Sequence, residues 1–76
     1  MVYNKKMNRQ ELNKNIADNI RQYRAKLRIS QEILAEKAQI SHQYVYKLEN
    51  ERIKPSVEYL LKIAEALDVT LNDLVY

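Results

Sequence analysis

Four residues divide this chain before any other pattern is considered. Ser30, Ser41 and Ser56 are its three serines and Thr70 its one threonine, and each stands directly before a stretch with helical spacing. A hydroxyl at that place accepts hydrogen bonds from the free amides of a helix's first turn. Thr70 has Asp73 three residues on, an acidic form of the capping box. Pro55 lies just before Ser56, where a continuous helix would clash with the proline ring. These marks predict five helices, near 13–27, 31–38, 42–50, 57–67 and 71–75. No stretch alternates with period two for long enough to form a strand. The expected fold is all-α, a compact bundle of five short helices.

Two apolar stripes support the division. Ile16, Ile20, Tyr23 and Leu27 follow helical spacing in the first helix, with Arg21, Arg24, Lys26 and Arg28 among them. In the fourth, Val57, Leu60, Leu61, Ala64 and Leu67 form one stripe. The leucines and isoleucines as a group are expected in the core. Residues 1–15 are rich in Asn and Lys and only weakly periodic. They read as a basic arm or an extra helical turn, since Asn8 with Glu11 resembles a capping box. The folded domain is therefore expected over 16–76. A 76-residue chain buries only about 60–65% of its unfolded surface, so the core is small.

Composition narrows the function. There is no cysteine, and a single histidine, His42, cannot build a zinc site. There is no glycine, which removes phosphate-cradling loops of the P-loop or dinucleotide kind. Three serines, one threonine and one histidine leave little material for a nucleophilic triad. The chain reads as a binding protein rather than an enzyme, with no cofactor, metal or small-molecule ligand. Its apolar runs fall far short of the roughly 18 residues of a membrane span. Its first residues lack the apolar stretch of a signal peptide, so a cytoplasmic location is expected. Residues 1–30 hold eight Lys and Arg against two acids, and residues 31–76 hold five against eight. That asymmetry suggests one surface that meets a polyanion, with a solvated basic tail as the alternative.

The central segment, residues 30–50, reads SQEILAEKAQISHQYVYKLEN. Two short helices joined by about three residues must cross steeply, as in a helix-turn-helix. The touching positions must be small or apolar, and here they are Ala35, Ala38, Ile40, Val45 and Leu48. Ala35 matters most, because a larger side chain would separate the helices. The other face of the second helix carries His42, Gln43, Tyr46 and Lys47. In a helix-turn-helix that face enters the major groove, where Gln can bind adenine and Lys the acceptors of guanine.

These residues carry a family resemblance. Ile20-Arg21-x-x-Arg24, Ser30-Gln31-Glu32-x-Leu34-Ala35, Ile40-Ser41, Val45-x-x-Leu48-Glu49, Pro55-Ser56 and Leu61-x-x-Ala64-x-Ala66-Leu67 resemble the Cro and lambda-repressor family of helix-turn-helix regulators. The likeness covers about residues 16–75, and the spacings together are highly specific. It implies a sequence-specific regulator of double-stranded DNA, a repressor acting as a homodimer. It further implies that Gln31 contacts the operator backbone, and that His42, Gln43 and Lys47 read bases. Tyr44 or Tyr46 would add hydroxyl or methyl contacts, and Asn50, Arg52 and Lys54 would bind phosphate. Arg24 would pair with Glu49 as a structural ion pair. Where the family usually has glycine, this chain has Arg28, Gln39 and Glu51. A positive φ is therefore predicted at Gln39. An apolar surplus at Leu71, Leu74, Val75 and Tyr76 is expected to form the dimer surface. The rival class is a protein-interaction module of antitoxin or anti-repressor type, favoured by Glu51 and the acidic second half.

Overall fold

In the computed structural model, which describes residues 7–76, five α-helices follow one another. They are α1 (Arg9–Leu27), α2 (Gln31–Ala38), α3 (His42–Glu49), α4 (Val57–Leu67) and α5 (Leu71–Val75). There is no strand among the described residues.

Each punctuating hydroxyl is an N-cap. Ser30, Ser41 and Ser56 Oγ accept from the amides of Ile33, Tyr44 and Tyr59 at 3.0, 3.0 and 3.1 Å. Thr70 Oγ1 accepts from Asp73 N–H at 3.1 Å while Asp73 Oδ2 accepts from Thr70 N–H at 2.9 Å. The first helix starts earlier than its apolar stripe indicates. Asn8 and Glu11 form a reciprocal capping box, so α1 begins at Arg9 and takes in residues 9–15. Residues 1–6 of the expected arm lie outside the described residues.

The helix ends are alike too. Arg28, Gln39, Glu51 and Asp68 have φ of 57°, 59°, 58° and 59°, so a non-glycine residue adopts the left-handed conformation at each. At each, two reverse hydrogen bonds cover the last carbonyls, as where Gln39 N–H donates to Glu36 O and Ile40 N–H to Ala35 O. The residue that follows plugs the core in three cases: Ile29, Ile40 and Val69 are partly buried against it. In the fourth it is Arg52, which is exposed.

The core gathers Ile16 and Ile20 of α1, Leu34, Ala35 and Ala38 of α2, and Val45 and Leu48 of α3. Leu60, Ile63, Ala64 and Leu67 of α4 and Leu74 of α5 complete it. The stripe expected on α4 is corrected here, since Val57 is 63% and Leu61 52% exposed while Ile63 is fully buried. The spacing i, i+3, i+4, i+7 fits residues 57, 60, 61, 64 and residues 60, 63, 64, 67 equally. Only packing against the other helices selects the second. Leu27 and Ile33 are likewise exposed, against the expectation that every leucine and isoleucine is core. The C-terminal surplus is also smaller than expected. Leu74 is fully buried, and Leu71 and Val75 pack on the core, which leaves Tyr76 as the exposed apolar residue of that end. Asn19 and Asn15 of α1 donate to the carbonyls of Leu74 and Val75 at 2.8 and 3.2 Å, fastening α5 to α1.

Candidate nucleic-acid interface

Eight residues of α3 supply two unlike sides. Val45, Leu48 and Glu49 are buried, whereas His42, Gln43, Tyr46 and Lys47 are exposed on one continuous outer strip. The close crossing of α2 over α3 depends on Ala35 and Ala38, 3% and 5% exposed, with Ile40 partly buried in the turn. Larger residues there would lift α3 off the bundle.

The inner side is tied down by a polar network. Arg24 Nε and Nη2 donate to Glu49 Oε2 and Oε1 at 2.7 and 2.9 Å, a bidentate pair. Arg24 Nη1 also donates to the carbonyl of Ile29 at 3.0 Å, joining the pair to the end of α1. The hydrogen bond to Glu49 raises the Arg24 guanidinium above its ordinary value, against the opposing effect of burial. Arg21 donates to the Glu49 carbonyl and, at 2.7 Å, to Asp18. Asp18 also holds Lys14 at 2.7 Å, and those two contacts keep its carboxyl below the usual range. The expected Arg24–Glu49 pair is therefore present, and three basic side chains of the N-terminal half, Lys14, Arg21 and Arg24, have acidic partners within the domain.

The nine residues expected to meet DNA fall into two groups. Gln43, Tyr46, Lys47, Arg52 and Lys54 are exposed, and no side-chain hydrogen bond or ion pair engages them among the described residues. Ser41, Gln43, Tyr44, Lys47, Ile53 and Lys54 border one shallow groove, which brings the α3 strip and the following loop together. The other four have partners. Gln31 Nε2 donates to Glu49 Oε1 at 3.1 Å, and its Oε1 lies 3.4 Å from His42 Nε2. Asn50 Nδ2 donates to the Tyr46 carbonyl at 2.8 Å and closes the end of α3. Tyr44 turns toward α4, where its ring lies 4.4 Å from that of Tyr59 and its hydroxyl accepts from Ser56 N–H at 3.3 Å. Sequence reasoning gave no role to Asn15, Asn19 or Tyr59. The asparagines are invisible to an apolar pattern, and the tyrosine pairing joins residues 15 positions apart.

Among the described residues there is no group of three or more His, Cys, Asp or Glu able to hold a metal ion. No helix there is long and apolar enough to cross a membrane.

Similarity to known proteins agrees with this geometry. The helix-turn-helix family model matches residues 20–74. A protein of Methanococcus maripaludis strain S2, named as an HTH-type transcriptional regulatory protein, is 44% identical over 52 residues. That match takes in 68% of this chain but 16% of the relative, so the chain spans about a sixth of the curated relatives it matches. The hypothetical transcription factor NHTF from Neisseria superimposes with a TM-score of 0.85 at 28% identity, covering 100% of this chain and 87% of that one. The restriction-modification controller protein C.AhdI from Aeromonas hydrophila gives 0.78 at 29% identity, covering 82% and 94%. With its capped α2–turn–α3 unit, small crossing residues and matched positions 20–74, the chain belongs to the helix-turn-helix family of Cro and lambda-repressor type, a family of transcriptional regulators.

Proposed function

We propose that the protein binds double-stranded DNA sequence-specifically and represses transcription by occupying an operator, with α3 in the major groove. The observation that carries this reading is the outer strip of α3, His42, Gln43, Tyr46 and Lys47, exposed beside the cationic loop of Arg52 and Lys54. Residues of that kind at the start of a recognition helix read base edges, while cations of the following loop hold phosphate. His42, Gln43 and Lys47 are the readers, with Tyr46 beside them. Arg52 and Lys54 are the anchors, Asn50 sets the loop, and Gln31 approaches the backbone. Tyr44 serves indirectly by tying Ser56 and the start of α4 to α3.

One such unit covers little DNA, so a homodimer on a two-fold operator is part of the proposal. Val57 and Leu61, one turn apart and both exposed on α4, offer apolar surface for that contact. In this reading the binding unit lies within residues 16–76, with residues 9–15 extending its first helix, and the protein works in the cytoplasm.

Titration of duplex DNA at several salt concentrations tests it. With about four to eight phosphate contacts per dimer, log affinity should fall against log salt with a slope of roughly −4 to −7. A slope near zero, or capture of a protein partner with no DNA binding, would replace this reading by the protein-interaction one.

A further inference from the structure

The hydrogen bonds behind the outer strip of α3 run in one direction. Glu49 is 2% exposed and is held by Arg24 as a carboxylate, which only accepts. The Gln31 group 3.1 Å from Glu49 Oε1 is therefore its amide NH2. The reverse orientation would set two acceptors against each other in a buried place. With Nε2 committed, the Gln31 carbonyl oxygen is turned on His42, 3.4 Å from Nε2. A carbonyl oxygen also only accepts, so the ring nitrogen facing it carries the proton. In the neutral ring this leaves Nδ1 with a bare lone pair.

We propose that Glu49, acting through Gln31, fixes neutral His42 in its Nε2–H tautomer, so that Nδ1 selects a base offering a hydrogen-bond donor. The base preference rests on the DNA reading proposed above, while the tautomer stands without it. In the major groove the donors are the exocyclic amines of adenine and cytosine, whereas guanine and thymine present acceptors there. His42 is then a specificity residue that favours A or C over G or T at one position of each half-site. Gln31 and Glu49 are positioning residues in this scheme. A partner that fixes the tautomer of a histidine through its other nitrogen is a recurrent device at ligand sites.

Two measurements on the full chain test the proposal. The first is two-bond proton–nitrogen NMR of the neutral His42 ring, on wild type and Gln31→Ala, with thermal melting to check that the variant folds. The expected result is a bare Nδ1 and a protonated Nε2 in wild type, relaxing in the variant toward the mixture of a free imidazole. An unconstrained imidazole also favours Nε2–H, so the change on mutation decides. An Nδ1–H ring in wild type, or identical patterns in the two proteins, overturns it. The second takes duplexes selected from random sequence and locates the base pair whose preference is lost in His42→Ala. Wild type should select A or C there, and exchange for G or T should weaken binding about tenfold. His42→Ala should lose less than about twofold on the same exchange. Selection of G or T overturns the base preference. Absence of all DNA binding overturns the proposed function and the base preference together, while the NMR result still decides the tautomer.

Discussion

On the inner side of α3, Glu49 accepts from both Arg24 and Gln31, and its carbonyl accepts from Arg21. On the outer side, Gln43, Tyr46 and Lys47 find no side-chain partner among the described residues. Glu49 and the outer residues are all polar in the sequence, but their physical circumstances are opposite. A polar group taken out of water must find its partner inside the fold, since an unpaired one costs about 1–3 kcal/mol. A polar group left in water has no such need and stays available. Stability and recognition are thereby assigned to opposite sides of one eight-residue helix, and mutations on the two sides should separate them.

The largest effect is expected on the inner side. Arg24→Met strands the buried Glu49 carboxylate, and removing one partner of a buried pair costs about 3–5 kcal/mol. The melting temperature should fall sharply. Arg24→Met combined with Glu49→Leu should recover part of the loss, because an apolar pair leaves no charge unpaired. Specificity at the bases read by Gln43 and Lys47 should be unchanged in the refolded single variant. A protein that melts normally but binds DNA poorly would move Arg24 to the outer side of the comparison.

Outer-side substitutions should do the opposite. Gln43→Ala should leave melting within about 0.5 kcal/mol of wild type, as for an exposed position without partners. It should weaken operator binding by about 1–3 kcal/mol and random duplex binding far less. Arg52→Ala, in the loop, should weaken both duplexes by similar factors and reduce the salt slope by about one. Paired titrations of the two variants against both duplexes decide the point. Equal behaviour would remove the division between readers and anchors.

The inner side was only partly legible in the sequence. Ser30, Ser41, Ser56 and Thr70 located the helix starts, because a cap acts within four residues of itself. The Asn8 capping box was legible too, yet the apolar stripe beginning at Ile16 drew the start of α1 inward. Which side of α4 faces the core was not legible, since Leu61 and Ile63 both fit a helical stripe and tertiary packing chose between them. Charge misled most. The basic excess of residues 1–30 suggested one polyanion-binding surface, but Lys14, Arg21 and Arg24 are engaged by Asp18 and Glu49. A count of charges cannot show which of them the fold has already paired. At the candidate site, the exposure of Gln43 and Lys47 followed from their place opposite Val45 and Leu48. The inward turn of Tyr44 did not, because it depends on Tyr59 in another helix.

The smallest expected effect lies in the turn that fixes α3 against α2, and so sets both of its sides. Gln39 has φ 59°, as its place in the resemblance to a glycine-bearing family predicts. The left-handed conformation costs a residue with a β-carbon roughly 1 kcal/mol, and glycine adopts it freely. Its side chain is exposed and holds no partner among the described residues, so truncation removes no contact. Glycine also gives the unfolded chain more freedom, which offsets part of the relief. Gln39→Gly should therefore be neutral or stabilising by up to about 1 kcal/mol. Gln39→Val should be clearly destabilising, because a β-branched residue fits a positive φ worst. Chemical denaturation of the two variants gives the answer through their midpoints. A lower midpoint for glycine with none for valine would mean that the turn closes by another geometry. The placement of His42 and Gln43 on the outer side would then have to be redrawn from that geometry.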